Sequence, residues 1–303
     1  MEKCSSDCNC SSDSKSACDC GGDAHSASAC NCGSEKKVSP EDELKSAIAN
    51  SLNNIKNKII IMSGKGGVGK TSVSVNLALA LAKKGYQVGI MDVDLHGPDV
   101  PRMLGLTGML ELDSNRKLEP MKYSDNLKVV SIESLMQGRD DAVIWRGPMK
   151  YSAIQQFIGE VAWGPLDFLV IDCPPGTGDE PLTIAQTVSD AKAVIVTTPQ
   201  EVSLADVRKS INFCKTVNMK IFGLIENMSG FACPHCSEVI DMFGSGGGER
   251  TAAAMGIPFL GKIPFDNNMV RCGDAGCAFH EQFENAPATR VFADIADKLG
   301  AAL

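Results

Sequence analysis

Cys233 and Cys236 stand in "FACPHCSEV", and Cys-x-x-Cys is the shortest common spacing that aims two thiolates at one metal centre. Two thiolates are half of a four-coordinate set. Four would suit Zn²⁺ or a [4Fe–4S] cluster alike, and Cys272 and Cys277 in "VRCGDAGCAF" would close a zinc site within the chain. His235, between the two cysteines, flanks or tunes the site. A second kind of chemistry is written in "SGKGGVGKTS", residues 63–72, where Gly64 to Thr71 spell the phosphate-binding pattern G-x-x-x-x-G-K-[ST]. Gly64, Gly66, Gly67 and Gly69 let backbone N–H groups close around phosphate oxygens, with Lys65, Val68 and Ser72 completing the loop. Lys70 would contact the β- and γ-phosphates of ATP, and the Thr71 hydroxyl would bind Mg²⁺. Asp172, ending the apolar run "DFLVID", suits the carboxylate that holds that ion through water. Asp92 and Asp94 end "GIMDVD"; Asp92 reads equally well as a turn or cap residue.

These groups need elements to hold them. "KIIIMS", "YQVGIMDVD", "LKVVSIES", "DFLVIDCPP", "AKAVIVTTP" and "KIFGLIENM" are short apolar runs ended by Gly, Pro or Asp, most of them separated by helix-length stretches. Strands buried on both faces read this way, so the pattern predicts an α/β fold: a doubly wound, mostly parallel sheet flanked by helices. Ligands of such sheets bind at the carboxyl ends of strands, where the polar residues above fall. "SVSVNLALALAKKG" predicts the helix that follows the phosphate loop, and its N-terminus would add a positive dipole end. "SPEDELKSAIANSLNNIKNK" predicts a leading helix capped by Ser39 with Pro40 at its first position.

With Lys65, the loop reads "KGGVGKT", which resembles the deviant P-loop ATPases typified by the division-site protein MinD and the partitioning protein ParA. That resemblance implies that Lys65 reaches across a nucleotide-sandwich homodimer to the other copy's phosphates. It also implies that Asp94 is the switch I aspartate orienting the attacking water, that "DCPPGTGDE" is switch II, and that Asn227 in "IENMS" recognises adenine. Further along, "DVDLHGPDVPRMLG", "WRGPMK", "TTPQEVSLADVRK", "ENMSGFACPHC" and "FGSGGGERTA" follow in an order that resembles the Mrp/ApbC family of iron–sulfur cluster carrier ATPases, over roughly residues 40–300. The resemblance implies a dimer that slowly hydrolyses ATP and passes a labile [4Fe–4S] cluster from assembly proteins to apo-proteins. Cys233 and Cys236 of two copies would then supply the four thiolates. Cys272 and Cys277 depart from the family pattern, which leaves their role open.

Composition bounds the rest. The chain has 303 residues, 44% of them hydrophobic, enough for a core without disulfides. Residues 1–38 hold almost no large apolar side chains, so they read as a flexible tail ahead of an ATPase domain over 39–303. Seven of the 13 cysteines lie there: Cys4, Cys8, Cys10, Cys18, Cys20, Cys30 and Cys32. Their Cys-x-Cys pairs would bind a cluster or soft metal, or exchange disulfides, and do not reproduce the four-cysteine ferredoxin-like motif of some eukaryotic relatives. His25 reads as a surface residue, and Cys173 and Cys214 as buried apolar groups. The formal net charge of −8 argues against a nucleic-acid surface. The absence of a long apolar run, and an N-terminus unlike a secretory signal, predict a cytoplasmic protein without a membrane partner. A positioning ATPase like MinD or ParA is the alternative from another class, but the C-terminal "ATRVFADIADKLGAAL" mixes both charge signs and predicts a packing helix. A metal-storage or sensing protein is a third.

Overall fold

The computed structural model describes residues 39–94, 97–135, 147–233, 235, 236 and 238–301. The tail cysteines, His25, the pair Leu95 and His96, and "WR" of "WRGPMK" lie outside the described residues.

Helix α1 (Pro40–Asn53) begins where the sequence predicts, with the Ser39 side chain accepting from the Asp42 N–H. It ends earlier than predicted. Asn54 stops it because Ile55 already pairs with Leu166, so strand β1 (Ile55–Ser63) starts three residues before the apolar run suggests. The phosphate loop then leads into α2 (Lys70–Lys83), followed by β2 (Val88–Asp92), the single turn α3 (Val100–Met103), and two short strands, β3 (Glu111–Leu112) and β4 (Leu118–Glu119), paired with each other. Next come β5 (Met121–Lys122), β6 (Leu127–Ser131), α4 (Gly147–Gly159), β7 (Leu166–Asp172), α5 (Asp179–Thr187), β8 (Lys192–Thr197), α6 (Glu201–Thr216) and β9 (Lys220–Glu226). The hairpin β10 (Phe231–Ala232) and β11 (Val239–Ile240) precedes α7 (Gly247–Met255), β12 (Phe259–Lys262), α8 (Asn267–Ala275), α9 (Phe279–Gln282) and α10 (Pro287–Gly300).

Eight strands form one sheet in the order β12-β9-β8-β1-β7-β2-β6-β5, parallel except for β5, which turns back against β6. Along β1 the buried side chains alternate between two layers. Ile59 and Ile61 pack with Leu77 of α2 and Phe292 of α10, whereas Ile60 and Met62 pack with Ile154 of α4 and Ile211 of α6. That alternation is the period of two acting on a strand covered on both faces, and each fully buried Ile contributes roughly 1.5–3 kcal/mol. Helix α10 is a packing helix, as predicted: Phe292, Ile295 and Leu299 are buried, Asp297 pairs with Lys84, and Lys298 donates to the Leu260 carbonyl. Among the described residues, no helix is long and apolar enough to cross a membrane.

Under this layer His280 of α9 is only 2% exposed, tilted at 59° against the Phe292 ring, with an Nε2 that has no hydrogen-bond partner among the described residues. Burial, and secondarily the charge of Lys83, push its pKa down from 6.5 to about 4. The unfolded chain therefore binds a proton that the folded chain refuses between those values. Stability present above pH 6.5 should be lost as pH falls toward 4, by up to about 3 kcal/mol. Urea midpoints at pH 7 and pH 5 measure this, and His280→Leu should flatten the slope; an unchanged slope would contradict the assignment.

Candidate nucleotide site and cysteine hairpin

The nucleotide loop is built at the carboxyl end of β1. Gly67 and Gly69 both adopt φ of +77°, a region that side chains rarely enter, which turns successive N–H groups toward one concavity. A Cβ on Gly64 would collide with the Asp206 backbone of α6, and one on Gly69 would collide with the Asn227 amide. The loop thus has neither room nor dihedral freedom for other residues at these points. Lys65, Gly66, Gly67, Lys70, Thr71 and Asp94 line a cavity of about 330 Å³. Val68, Gly69 and Ser72 line it as well, while Met103 and Pro175 close two sides.

Asp172 organises the floor. It is fully buried and accepts from Lys70 Nζ at 2.8 Å, Thr71 Oγ1 at 2.8 Å and Ser74 Oγ at 2.6 Å. Burial pulls the Lys70 ammonium down, but Asp172, with help from Asp92 and Asp94, holds its pKa above the ordinary value. Ser74 is a site residue that sequence reading passed over. Its signal is the helical spacing, one turn past Lys70 and on the same face.

The sheet register sets Asp92 directly beside Asp172. Burial first, then the Asp172 charge, raise the Asp92 pKa well above the ordinary carboxylate value, against the N–H groups of Asp94 and Val100. By accepting from both, Asp92 fixes the loop that carries Asp94, so the cap reading and a supporting role hold together. Asp94 itself accepts from the Gly97 N–H and faces the same cavity. Asn227 arrives from the end of β9, where its Nδ2 donates to the Val68 carbonyl at 2.9 Å. One amide hydrogen is therefore spent on the loop.

Thr71 Oγ1 and the Asp172 carboxylate, 2.8 Å apart beside the loop N–H groups, form an all-oxygen pair that fits Mg²⁺.

Four residues past Asn227 the chain rises into the β10–β11 hairpin, in which Phe231 pairs with Ile240 and Ala232 with Val239. Phe231 also bridges to Phe265, their rings edge to face at 5.9 Å, and this anchors the hairpin base. Cys233, half-buried, donates its N–H to the Glu238 carbonyl; Cys236 and His235 are exposed at the tip. N–H groups of His235 and then Cys236 hold the Cys233 thiol below its usual pKa. Val239, Ile240 and Met242 leave apolar surface exposed beside the cysteines.

The in-chain zinc arrangement is not what the structure contains. Cys272 is 3% exposed in α8, its Sγ donates to Gln282 Oε1 at 3.7 Å, and Cys277 follows across the helix cap, its N–H bonded to the Cys272 carbonyl. Burial, then the Cys277 thiol, raise the Cys272 pKa to about 11. Among the described residues, no three His, Cys, Asp or Glu side chains gather as a metal site, so these two cysteines do not join Cys233 and Cys236. The helix cap that seats Cys272 and Cys277 also seats them away from the hairpin tip. Cys173 and Cys214 are fully buried, as expected.

A deviant phosphate loop after β1 and an exposed Cys-x-x-Cys finger after β9, both at carboxyl ends of the parallel strands, agree with a family match across residues 54–300, to ParA: NUBPL iron-transfer P-loop NTPase. The chain belongs to this family. Among the relatives of this chain, an iron-sulfur cluster carrier protein from Saccharolobus solfataricus is 50% identical over 249 residues, 82% of this chain and 84% of that protein. A nucleotide-binding protein from Archaeoglobus fulgidus, solved in complex with ADP, is 39% identical with a TM-score of 0.68, covering 77% of this chain and 91% of that one. The cell division ATPase MinD of Pyrococcus furiosus shares the fold at 23% identity, with a TM-score of 0.60 over 82% of this chain and 99% of that one. The chain thus combines membership of a P-loop NTPase family with a MinD-like architecture.

Proposed function

We propose that this chain is an ATP-hydrolysing iron–sulfur carrier that works as a homodimer in the cytoplasm, with residues 39–303 as the ATPase domain and residues 1–38 as an appended tail. The observation that carries the reading is the pairing of two accessible thiols, Cys233 and Cys236, with a hairpin rooted four residues from the nucleotide loop's own contact, Asn227. Two thiolates per copy make a four-thiolate seat for one [4Fe–4S] cluster when two copies meet, and the exposed Val239, Ile240 and Met242 supply apolar surface for that meeting. The cluster is cargo, received from assembly proteins and passed to apo-proteins.

At the nucleotide, Lys70 and the loop N–H groups bind the phosphates of ATP, and Asn227 faces the base. Thr71 and Asp172 hold Mg²⁺, which neutralises phosphate charge. Asp94 orients the attacking water, and Lys65 reaches the phosphates bound by the other copy. Slow hydrolysis then alters how the two copies meet, and with it the hold on a cluster shared between them.

Anaerobic reconstitution of the full chain with iron and sulfide, followed by metal analysis, Mössbauer spectroscopy and sedimentation, tests the reading. About four irons in a dimer are expected, with ATP changing the rate of transfer to an apo-acceptor. Zinc at one per chain, cluster iron in a monomer, or a transfer rate indifferent to nucleotide would sink it.

A further inference from the structure

Glu226 takes no part in the chemistry above, yet it is fully buried at the last position of β9. Its register neighbour Lys262 is paired with Glu249, so the Glu226 charge is met by other donors. Oε1 accepts from Ser229 Oγ at 2.5 Å and from the Gly246 N–H at 2.8 Å; Oε2 accepts from the Gly248 N–H at 2.5 Å. Ser229 lies on the segment entering the cysteine hairpin, and Gly246 on the segment leaving it. One carboxylate therefore grips both stems of the finger that carries Cys233 and Cys236.

The grip doubles as the N-terminal cap of α7, whose own cap position, Gly246, offers no side chain. A carboxylate there meets the positive end of the helix dipole and two of its unpaired N–H groups. The glycine run serves this seat. Gly246 sits at φ +77°, and Cβ atoms on Gly247 and Gly248 would approach the Pro199 carbonyl to 2.5 Å and Leu224 to 3.0 Å.

The residue after Glu226 is Asn227, whose amide is bonded to Val68 and packed on Gly69 of the nucleotide loop. In extended chain, neighbouring side chains point to opposite faces. Two consecutive residues thus hold the hairpin stems on one side and the phosphate loop on the other. We propose that Glu226 is a positioning residue that fixes the cysteine finger to the strand end touched by the nucleotide loop, so that a shift of Asn227 on nucleotide binding is passed to both stems. This rests on the carrier reading for its purpose, though its test does not need a cluster.

Amide hydrogen exchange of the metal-free full chain, with and without Mg–ADP, reads the coupling directly. In the wild type, peptides spanning residues 229–246 should exchange more slowly once ADP binds. Glu226→Gln keeps the size but turns a donor toward donors, so stem exchange should rise about tenfold, and its response to ADP should vanish while ADP affinity stays within about threefold. Ser229→Ala, which removes one donor only, should give an intermediate result and serves if the first variant does not fold. A cap with only a structural role would speed exchange and leave the response to ADP in place. That outcome, or wild-type stems indifferent to ADP, overturns the proposal. Failure to load iron would instead count against the carrier reading and leave this result standing.

Discussion

Lys70→Ala is expected to abolish nucleotide binding and to destabilise the domain in the same stroke. The two effects share one cause. Lys70 is 6% exposed, and it is paired at 2.8 Å with Asp172, which is wholly buried. Removing one member of a buried ion pair typically costs 3–5 kcal/mol, because the remaining charge loses its partner without regaining water. Thr71 and Ser74 still donate to Asp172, so the cost here should lie near the lower bound, about 3 kcal/mol. Urea unfolding measures it. Titration calorimetry with ADP measures the other half, where loss of the ammonium and disturbance of the Thr71–Asp172 pair should weaken binding by about a hundredfold or more. Wild-type protein should also gain stability from saturating ADP, and the variant should not. Binding within a few-fold of wild type would show that Lys70 serves the core and not the nucleotide.

Cys233→Ser with Cys236→Ser should do the opposite: leave the fold alone and remove the cargo. Both thiols stand at a hairpin tip outside the two packed layers, so their loss should change stability by no more than about 0.5 kcal/mol. Cluster iron should fall from about four per dimer to near zero after anaerobic reconstitution. Cys214→Ala is the internal contrast. Cys214 is fully buried with its Sγ 3.8 Å from the Met62 sulfur, and burial raises its pKa to about 11. That change should cost stability through lost packing and leave iron loading untouched. Iron retained in the double variant would assign the metal to other cysteines.

The nucleotide loop was fully legible in the sequence, because its glycines, lysine and threonine act through backbone geometry and through contacts within one short stretch. Strand ends were legible for a similar reason: an apolar run closing in Asp, as at Asp92 and Asp172, marks where a buried strand ends at the polar floor of the nucleotide loop. Partnership across the sheet was not. Nothing in "GIMDVD" or "FLVID" tells that Asp92 and Asp172 stand side by side; that follows from β2 lying next to β7. Ser74 and Glu226 escaped for the same reason, since each gains meaning only from a partner 98 and 22 residues away. Strand β12 was missed because its four residues between Ile257-Pro258 and Ile263-Pro264 are too few to show a period. The zinc alternative failed on geometry that spacing cannot carry. A Cys-x₄-Cys pair looks like a ligand set until a helix cap turns one thiol into the core.

The hairpin bearing Cys233 and Cys236 pairs with itself, and it is tied to the sheet only at its base, by the Phe231–Phe265 bridge and by the Glu226 contacts to its two stems, among the described residues. It is inserted in the connection between β9 and α7, and its length does not enter the register of the eight strands. Such a connection can be lengthened, shortened or exchanged at little energetic cost while the nucleotide machinery stays intact. The sheet and its nucleotide loop can thereby keep their register while the tip of one surface excursion changes, and that tip is the natural splice point for grafting a different payload onto the same fold.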